Sequence, residues 1–332
     1  MISCTEFIPA YSELFKFIDQ NSGRQAVYDY WTELFKPENS PLNEWLDKCG
    51  FRGCWEYWSR SLTEEACDFT MYFNESQGWF SIFMHECPSK GRFLKCKYLT
   101  PFDEYCKHCD NYCIALGKHG LKQFTDYRGI DGEKKAQCRD FIWDPNVFKG
   151  DPQAMLDEMW ECEQSGRKFQ VPEDTLVMDV RKAENKYFHQ LFHTSTDYGC
   201  AYIAEKYGME GLRKYLTQYT LAYHKPLIED IKSKGLQAMV DYLKWLYETE
   251  EAPEVLHIAT EGTPVKSMAV HIDRCPVIDF YKSVGHKTSK YFVYTTSMVY
   301  EALAEAAGIQ FKMLAYDEET GEADYRFWST EV

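Results

Sequence analysis

The sequence predicts an α+β protein built from two tandem copies of one unit, each with helices packed on one face of a small antiparallel sheet. Three observations carry this expectation. The chain has 332 residues, about twice a common domain length. Stretches of helical periodicity alternate with short, β-rich runs closed by Gly or Pro. Most telling, an ordered series of residues recurs at an offset of about 185 residues. Pro41-Leu42, Glu44, Gly50 and Tyr57 reappear as Pro226-Leu227, Glu229, Gly235 and Tyr242. Thr63-Glu64-Glu65-Ala66 reappears as Thr249-Glu250-Glu251-Ala252, Cys87-Pro88 as Cys275-Pro276, and Gly120 as Gly308. The offset drifts slowly in one direction, as small loop insertions require.

Each copy begins with helices. In the second, residues 187–207, 211–223 and 236–247 carry apolar residues at helical spacing, with Gly208 and Gly235 as stops and Pro226 as a start. A strand ending in Cys-Pro follows, at 79–86 and 266–274. A helix closed by Gly comes next, at 103–118 and 294–307. Two strands complete each unit, 121–127 with 136–143 and 309–316 with 323–328, the latter pair joined by the turn-like Asp317-Glu318-Glu319-Thr320-Gly321. Residues 144–174 are polar and punctuated by Pro and Gly, which reads as a linker with a short helix at 153–162. The expected division is therefore a first, Cys-rich copy at 1–143, a linker at 144–174, and a second copy at 175–332.

The net charge of −15 and pI near 5.1 argue against nucleic acid or an anionic membrane surface as partner, because phosphate contacts need clustered Lys and Arg. No apolar run reaches the roughly 18 residues of a membrane span, and Met1–Glu6 does not open a signal peptide, so a cytoplasmic protein is expected. Thirteen Cys without an export signal imply reduced thiols rather than a disulfide framework. Phosphate-binding glycine loops and the G-x-S-x-G elbow are absent from the sequence, which leaves nucleotide-dependent and serine-hydrolase chemistry without support.

Three constellations can carry chemistry. His189 and His193 stand four apart, so on one helix their imidazoles share a face and can bind one metal, with Asp197 a turn further on. Gln190 occupies the place of the Glu in H-E-x-x-H and cannot act as a base, which removes a zinc-protease reading. Cys106, Cys109 and Cys113 form a helical stripe, but its ends stand roughly 10 Å apart, so only Cys106 with Cys109, or Cys109 with Cys113, can chelate together. Cys138, or His85 and Cys87, would complete that site. In the strand before Cys-Pro, His271, Asp273 and Cys275 alternate onto one face, resembling a thiol nucleophile flanked by a base and an orienting carboxylate.

Further residues carry a family resemblance. Lys186-Tyr187-Phe188-His189-Gln190-Leu191-Phe192-His193, then Tyr207-Gly208-Met209-Glu210-Gly211-Leu212, Cys275-Pro276, the 294–308 helix and the final Tyr325-Arg326-Phe327-Trp328 strand resemble the bacterial L-2-amino-thiazoline-4-carboxylic acid hydrolase-like family. Members of that family resemble the vinyl-reductase-type and TRAPP-type ligand-binding α+β unit. The resemblance spans roughly residues 175–330 and, more faintly, 35–143. It implies a small-molecule hydrolase opening a C–N bond of a small heterocycle or amide. Copy one keeps the family-like thiols Cys106, Cys109 and Cys138, where copy two has Tyr294, Ser297 and Ala323.

The expected site is a pocket of copy two in which His189 and His193 face Cys275, Thr296 and Tyr300. Cys275, Asp273 and His271 would be the catalytic set. His189 and His193, with Cys106 and Cys109 in copy one, would be metal ligands, zinc being the divalent ion that suits them. The alternative is a noncatalytic small-ligand- or metal-binding protein of a sensor-like kind.

Overall fold

The computed structural model describes residues 1–128, 136–181 and 186–329, and it is α+β with antiparallel pairing in both sheets. The chain divides into two compact units: Ile18–Tyr187, and Met1–Phe17 together with Phe188–Val332.

The first helix, α1 (Phe7–Ser22), begins in one unit and ends in the other. The Ile18–Tyr187 unit continues with α2 (Arg24–Leu34), α3 (Pro41–Cys49), α4 (Gly53–Glu64), β1 (Asp68–Asn74), β2 (Trp79–Glu86), α5 (Pro88–Lys95), α6 (Tyr112–Lys118), β3 (Lys122–Asp126), β4 (Cys138–Trp143), α7 (Pro152–Ser165) and β5 (Leu176–Val180). The strands lie in the order β3-β4-β2-β1-β5. Alternation sends Phe69, Met71, Phe73, Phe80, Ile82 and Ile142 to one face, where Leu46, Trp58 and Leu62 of the helices cover them. Tyr72, Trp79 and Phe141 point the other way and pack with Leu156, Met159 and Cys162 of α7. Residues 144–174, expected as a linker, therefore supply a second cover to this sheet. β5 lies within the expected second copy, yet it pairs with β1 through Phe69↔Val180 to Phe73↔Leu176.

The other unit holds α8 (Leu191–Tyr223), α9 (Lys225–Lys234), α10 (Gln237–Thr249), β6 (Leu256–Glu261), β7 (Ser267–Ile272), α11 (Pro276–Ser283), α12 (Tyr294–Ala307), β8 (Ile309–Tyr316) and β9 (Ala323–Ser329). Its strand order is β6-β7-β9-β8, matching β1-β2-β4-β3 of the first sheet. The recurring prolines open helices in both units: Pro41 and Pro88 start α3 and α5, while Pro226 and Pro276 lie in the first turns of α9 and α11. α8 is broken at Gly208, whose φ of 73° only glycine adopts readily, so it runs as two segments close to those the periodicity predicts.

The expected division at 143, 174 and 175 differs from this arrangement at its ends. Residues 1–17 join the C-terminal unit because their apolar and polar groups find partners there. Phe7 stacks on Phe192 at 4.3 Å, Tyr215 donates its hydroxyl to the Ala10 carbonyl, and Gln218 donates to Glu13. Residues 330–332 of the expected second copy lie outside the described residues.

Candidate functional site

The C-terminal unit gathers a buried polar cluster around the start of α8. Cys4 lies in the turn that precedes α1, His193 in the first turn of α8, and Glu250 at the C-cap of α10. Glu251 follows at φ 56°, a left-handed turn at a non-glycine residue. Cys4, His193 and Glu250 are 0%, 1% and 3% exposed. Each offers one donor atom, and the three atoms lie within 4.8 Å of one another. The Cys4 backbone N–H donates to Glu250 Oε1 at 2.7 Å, and His193 Nε2 meets Glu250 Oε2 at 2.9 Å.

Burial, then the Glu250 charge, pushes the Cys4 thiol far above its ordinary value. Burial alone would also raise the Glu250 carboxyl, but the charge and hydrogen bond of His193, with the bonds from Cys4, outweigh it and hold it below its ordinary value. Glu6 shares this interior. Its Oε2 accepts from the Ser3 backbone N–H and its Oε1 from the Tyr242 hydroxyl. Tyr281 of α11 donates to the His193 carbonyl at 2.7 Å.

A thiolate, an imidazole and a carboxylate are the three ligand types that zinc accepts. Tetrahedral bonds of roughly 2.0–2.3 Å place ligand atoms about 3.3–3.7 Å apart. The 2.9 Å separation of His193 and Glu250 would widen by about half an ångström to admit the ion. A cation would also reverse the electrostatics that now keep the Cys4 proton in place.

The structure distributes the sequence-predicted residues differently. α8 begins at Leu191, so His189 precedes the helix and the i, i+4 premise fails. His189 is buried with its ring edge-on to Phe192 at 4.3 Å, and only His193 enters the three-donor cluster. Asp197 is no ligand to this cluster. It accepts from Ser289 through both N–H and hydroxyl and pairs with His286 at 2.9 Å, so it anchors the segment after α11.

His271, Asp273 and Cys275 do not converge. β7 ends at Ile272, and alternation places His271 on the open face of the sheet beside Asp324 of β9, at 2.9 Å. Asp273 bonds His257 at 2.8 Å and lies 3.2 Å from His271, all near the surface. Cys275, beyond the strand end, turns inward as the N-cap of α11 with its sulfur 3.7 Å from that of Met1. Burial raises its thiol pKa, which leaves it a poor nucleophile. Tyr300 packs against Phe311, Tyr325 and Phe327 at 5.6–5.7 Å, and forms part of an aromatic core.

The expected helix at 103–118 is a 3-10 segment, Tyr105–Asn111, followed by α6. The thiol stripe is therefore broken: Cys113 is exposed, whereas Cys106 and Cys109 are half-buried. Burial, then the neighbouring thiols of Cys87, Cys138 and Cys106, raises the Cys109 pKa, and its sulfur lies 3.6 Å from His108 Nε2. Among the described residues, Cys106 and Cys109 belong to no group of three donors as close as Cys4, His193 and Glu250. Sequence reasoning missed Cys4 and Glu250. The one available signal was Glu250 in the recurring Thr-Glu-Glu-Ala motif; Cys4 has none.

A cavity of about 450 Å³ opens elsewhere in the same unit, lined by Glu205, Lys287, Lys290, Tyr291, Tyr316 and Glu318 among others. No described helix is long and apolar enough to cross a membrane. None of the thirteen cysteines is joined in a disulfide. Comparison with family models, curated proteins and solved structures finds no match to this chain.

Proposed function

We propose that the protein binds one divalent metal ion, zinc fitting best, through Cys4, His193 and Glu250, and that the ion serves a structural or sensing role. The observation that carries this reading is the convergence of three different donor atoms within 4.8 Å, all on buried residues. The mixed sulfur, nitrogen and oxygen set suits zinc better than the hard cations, which prefer oxygen alone. Burial argues against a position open to substrate; with three protein donors, a fourth ligand such as an enclosed water would complete the tetrahedron.

The test is metal content by plasma mass spectrometry on protein dialysed against zinc-free buffer. One zinc per chain is expected, lost in His193→Ala and in Cys4→Ser. Zinc-free wild type that also takes up none on titration refutes the proposal. A metal content unchanged in folded variants does the same. Should both variants unfold, a high-affinity chelator must lower the wild-type melting temperature.

A second reading keeps the small-molecule hydrolase that the resemblance implies, and the cavity favours it. Lys287, Lys290, Glu205 and Glu318 all line it, a mix of charges suited to a small zwitterion. The adjoining His286–Asp197 pair offers an imidazole oriented by a buried carboxylate. Turnover of a small amide or heterocycle that is abolished by His286→Ala but kept by Cys275→Ala is the result expected of that reading.

A further inference from the structure

We infer that Arg139 is the anchor of a second ligand site, in the Ile18–Tyr187 unit, for a small monoanionic carboxylate. Arg139 lies on β4, opposite Phe83 of β2 and Asp126 of β3. Its guanidinium is clamped between the rings of Phe83 and Trp160, each centred 4.0 Å from Cζ. The residue is 0% exposed. Yet Nε, Nη1 and Nη2 have no hydrogen-bond partner. None of them pairs with a carboxylate among the described residues, since Asp126 is taken by Arg128, which also holds Asp157.

A buried cation that keeps all its N–H groups unanswered is costly, and natural interiors rarely leave one so. The aromatic clamp stabilises the charge on the two faces of the plane. It cannot answer the N–H groups, which point outward within that plane. An acceptor must therefore arrive edge-on, and a planar carboxylate matches the guanidinium fork with two parallel bonds. The surroundings select for low charge. Asp126 and Glu163 act on Arg139, and the neighbouring cation Arg128 is already paired with Asp126 and Asp157, so a dianionic phosphate would meet repulsion that a monoanion largely escapes. His85, two residues from Phe83 on the same strand, carries a buried Nδ1 that also lacks a hydrogen bond and lies 3.6 Å from Glu163. Trp160 and Glu163 both belong to α7, the helix that covers this face. Full burial means that entry requires α7 to lift locally, so binding is read at equilibrium.

The probe is radiolabelled acetate in equilibrium dialysis at constant ionic strength, with inorganic phosphate as the competing anion. Wild type is expected to take up one acetate saturably. Arg139→Met and Arg139→Gln should weaken that uptake by about tenfold or more, the loss expected when a bidentate charged pair is removed. Trp160→Leu, which keeps the cation but removes one face of its clamp, should weaken it less. Phosphate should compete at least about tenfold more weakly than acetate. Absence of saturable uptake by wild type overturns the inference, as does unchanged affinity in a folded Arg139 variant. Phosphate binding more tightly than acetate overturns the carboxylate assignment. If both Arg139 variants fail to fold, an acetate affinity unaltered by Trp160→Leu overturns it instead.

Discussion

Replacing Glu250 by Ala should strongly destabilise the unit formed by residues 1–17 and 188–332. Glu250 accepts the Cys4 backbone N–H with one oxygen and meets His193 Nε2 with the other, and it is 3% exposed. Its removal orphans two buried polar groups, each costing about 1–3 kcal/mol. Treating the same loss as a broken buried ion pair gives about 3–5 kcal/mol, so the two routes agree and are not added. For a unit of this size that is a fall in melting temperature of roughly 6–20 °C. Glu250→Gln keeps the volume and one acceptor and should cost less, about 1–2 kcal/mol.

The assay is urea unfolding in the presence of a chelator, which keeps metal loss out of the comparison, together with hydrogen exchange of residues 1–17. Those amides should lose protection in Glu250→Ala before the rest of the unit does. The sign with pH follows from a carboxyl held below its ordinary value of 4.5. Its contribution is present above that pH and is lost as pH falls through the lower folded-state value, so wild type and Glu250→Gln converge in acid. A loss under about 1 kcal/mol in Glu250→Ala, with residues 1–17 still protected, would refute the reasoning.

Three further outcomes are expected. Gly321 sits at φ 70°, and a Cβ there would stand 2.3 Å from Cys275 Cβ, so Gly321→Ala should cost about 2–4 kcal/mol; denaturant unfolding within about 0.5 kcal/mol of wild type would contradict this. Burial lifts the Asp140 carboxyl from 3.8 to about 7, against the pull of Gln123 and Thr125. The folded state therefore favours the protonated form and loses stability as pH rises from about 4 through 7. Asp140→Asn should match wild type near pH 4 and exceed it by about 2 kcal/mol at pH 8, a figure reduced for the residue's partial exposure; a pH-independent difference would sink the idea. Native labelling with iodoacetamide, read by peptide mass spectrometry, should modify the exposed Cys49 and Cys113 before the buried Cys4, Cys200 and Cys275. Early labelling of Cys275 would revive it as a nucleophile.

Some of this protein is local and so was readable from the sequence alone. The α+β class, the strands at 79–86 and 309–316, the helix at 294–307, and the breaks at Gly208 and Gly235 follow from periodicity and from Pro and Gly chemistry. The parallel order of elements around the recurring Cys-Pro pairs was likewise visible as spacing. The site was not. Cys4 and Glu250 are 246 residues apart in sequence, and no periodicity carries information over that distance.

His189 and His193 were separable only by where α8 starts, and no Ser, Thr, Asp or Asn marks that N-cap, which is Gln190. His271 and Cys275 share a parity that means one face only while the strand lasts, and β7 ends between them. Arg139 in a strand reads as a solvent-facing cation; α7, supplied by residues expected to be a linker, is what buries it. Secondary structure is set by neighbours in the chain, whereas burial and donor convergence are set by which distant surfaces close over one another, and that is decided only in the tertiary fold.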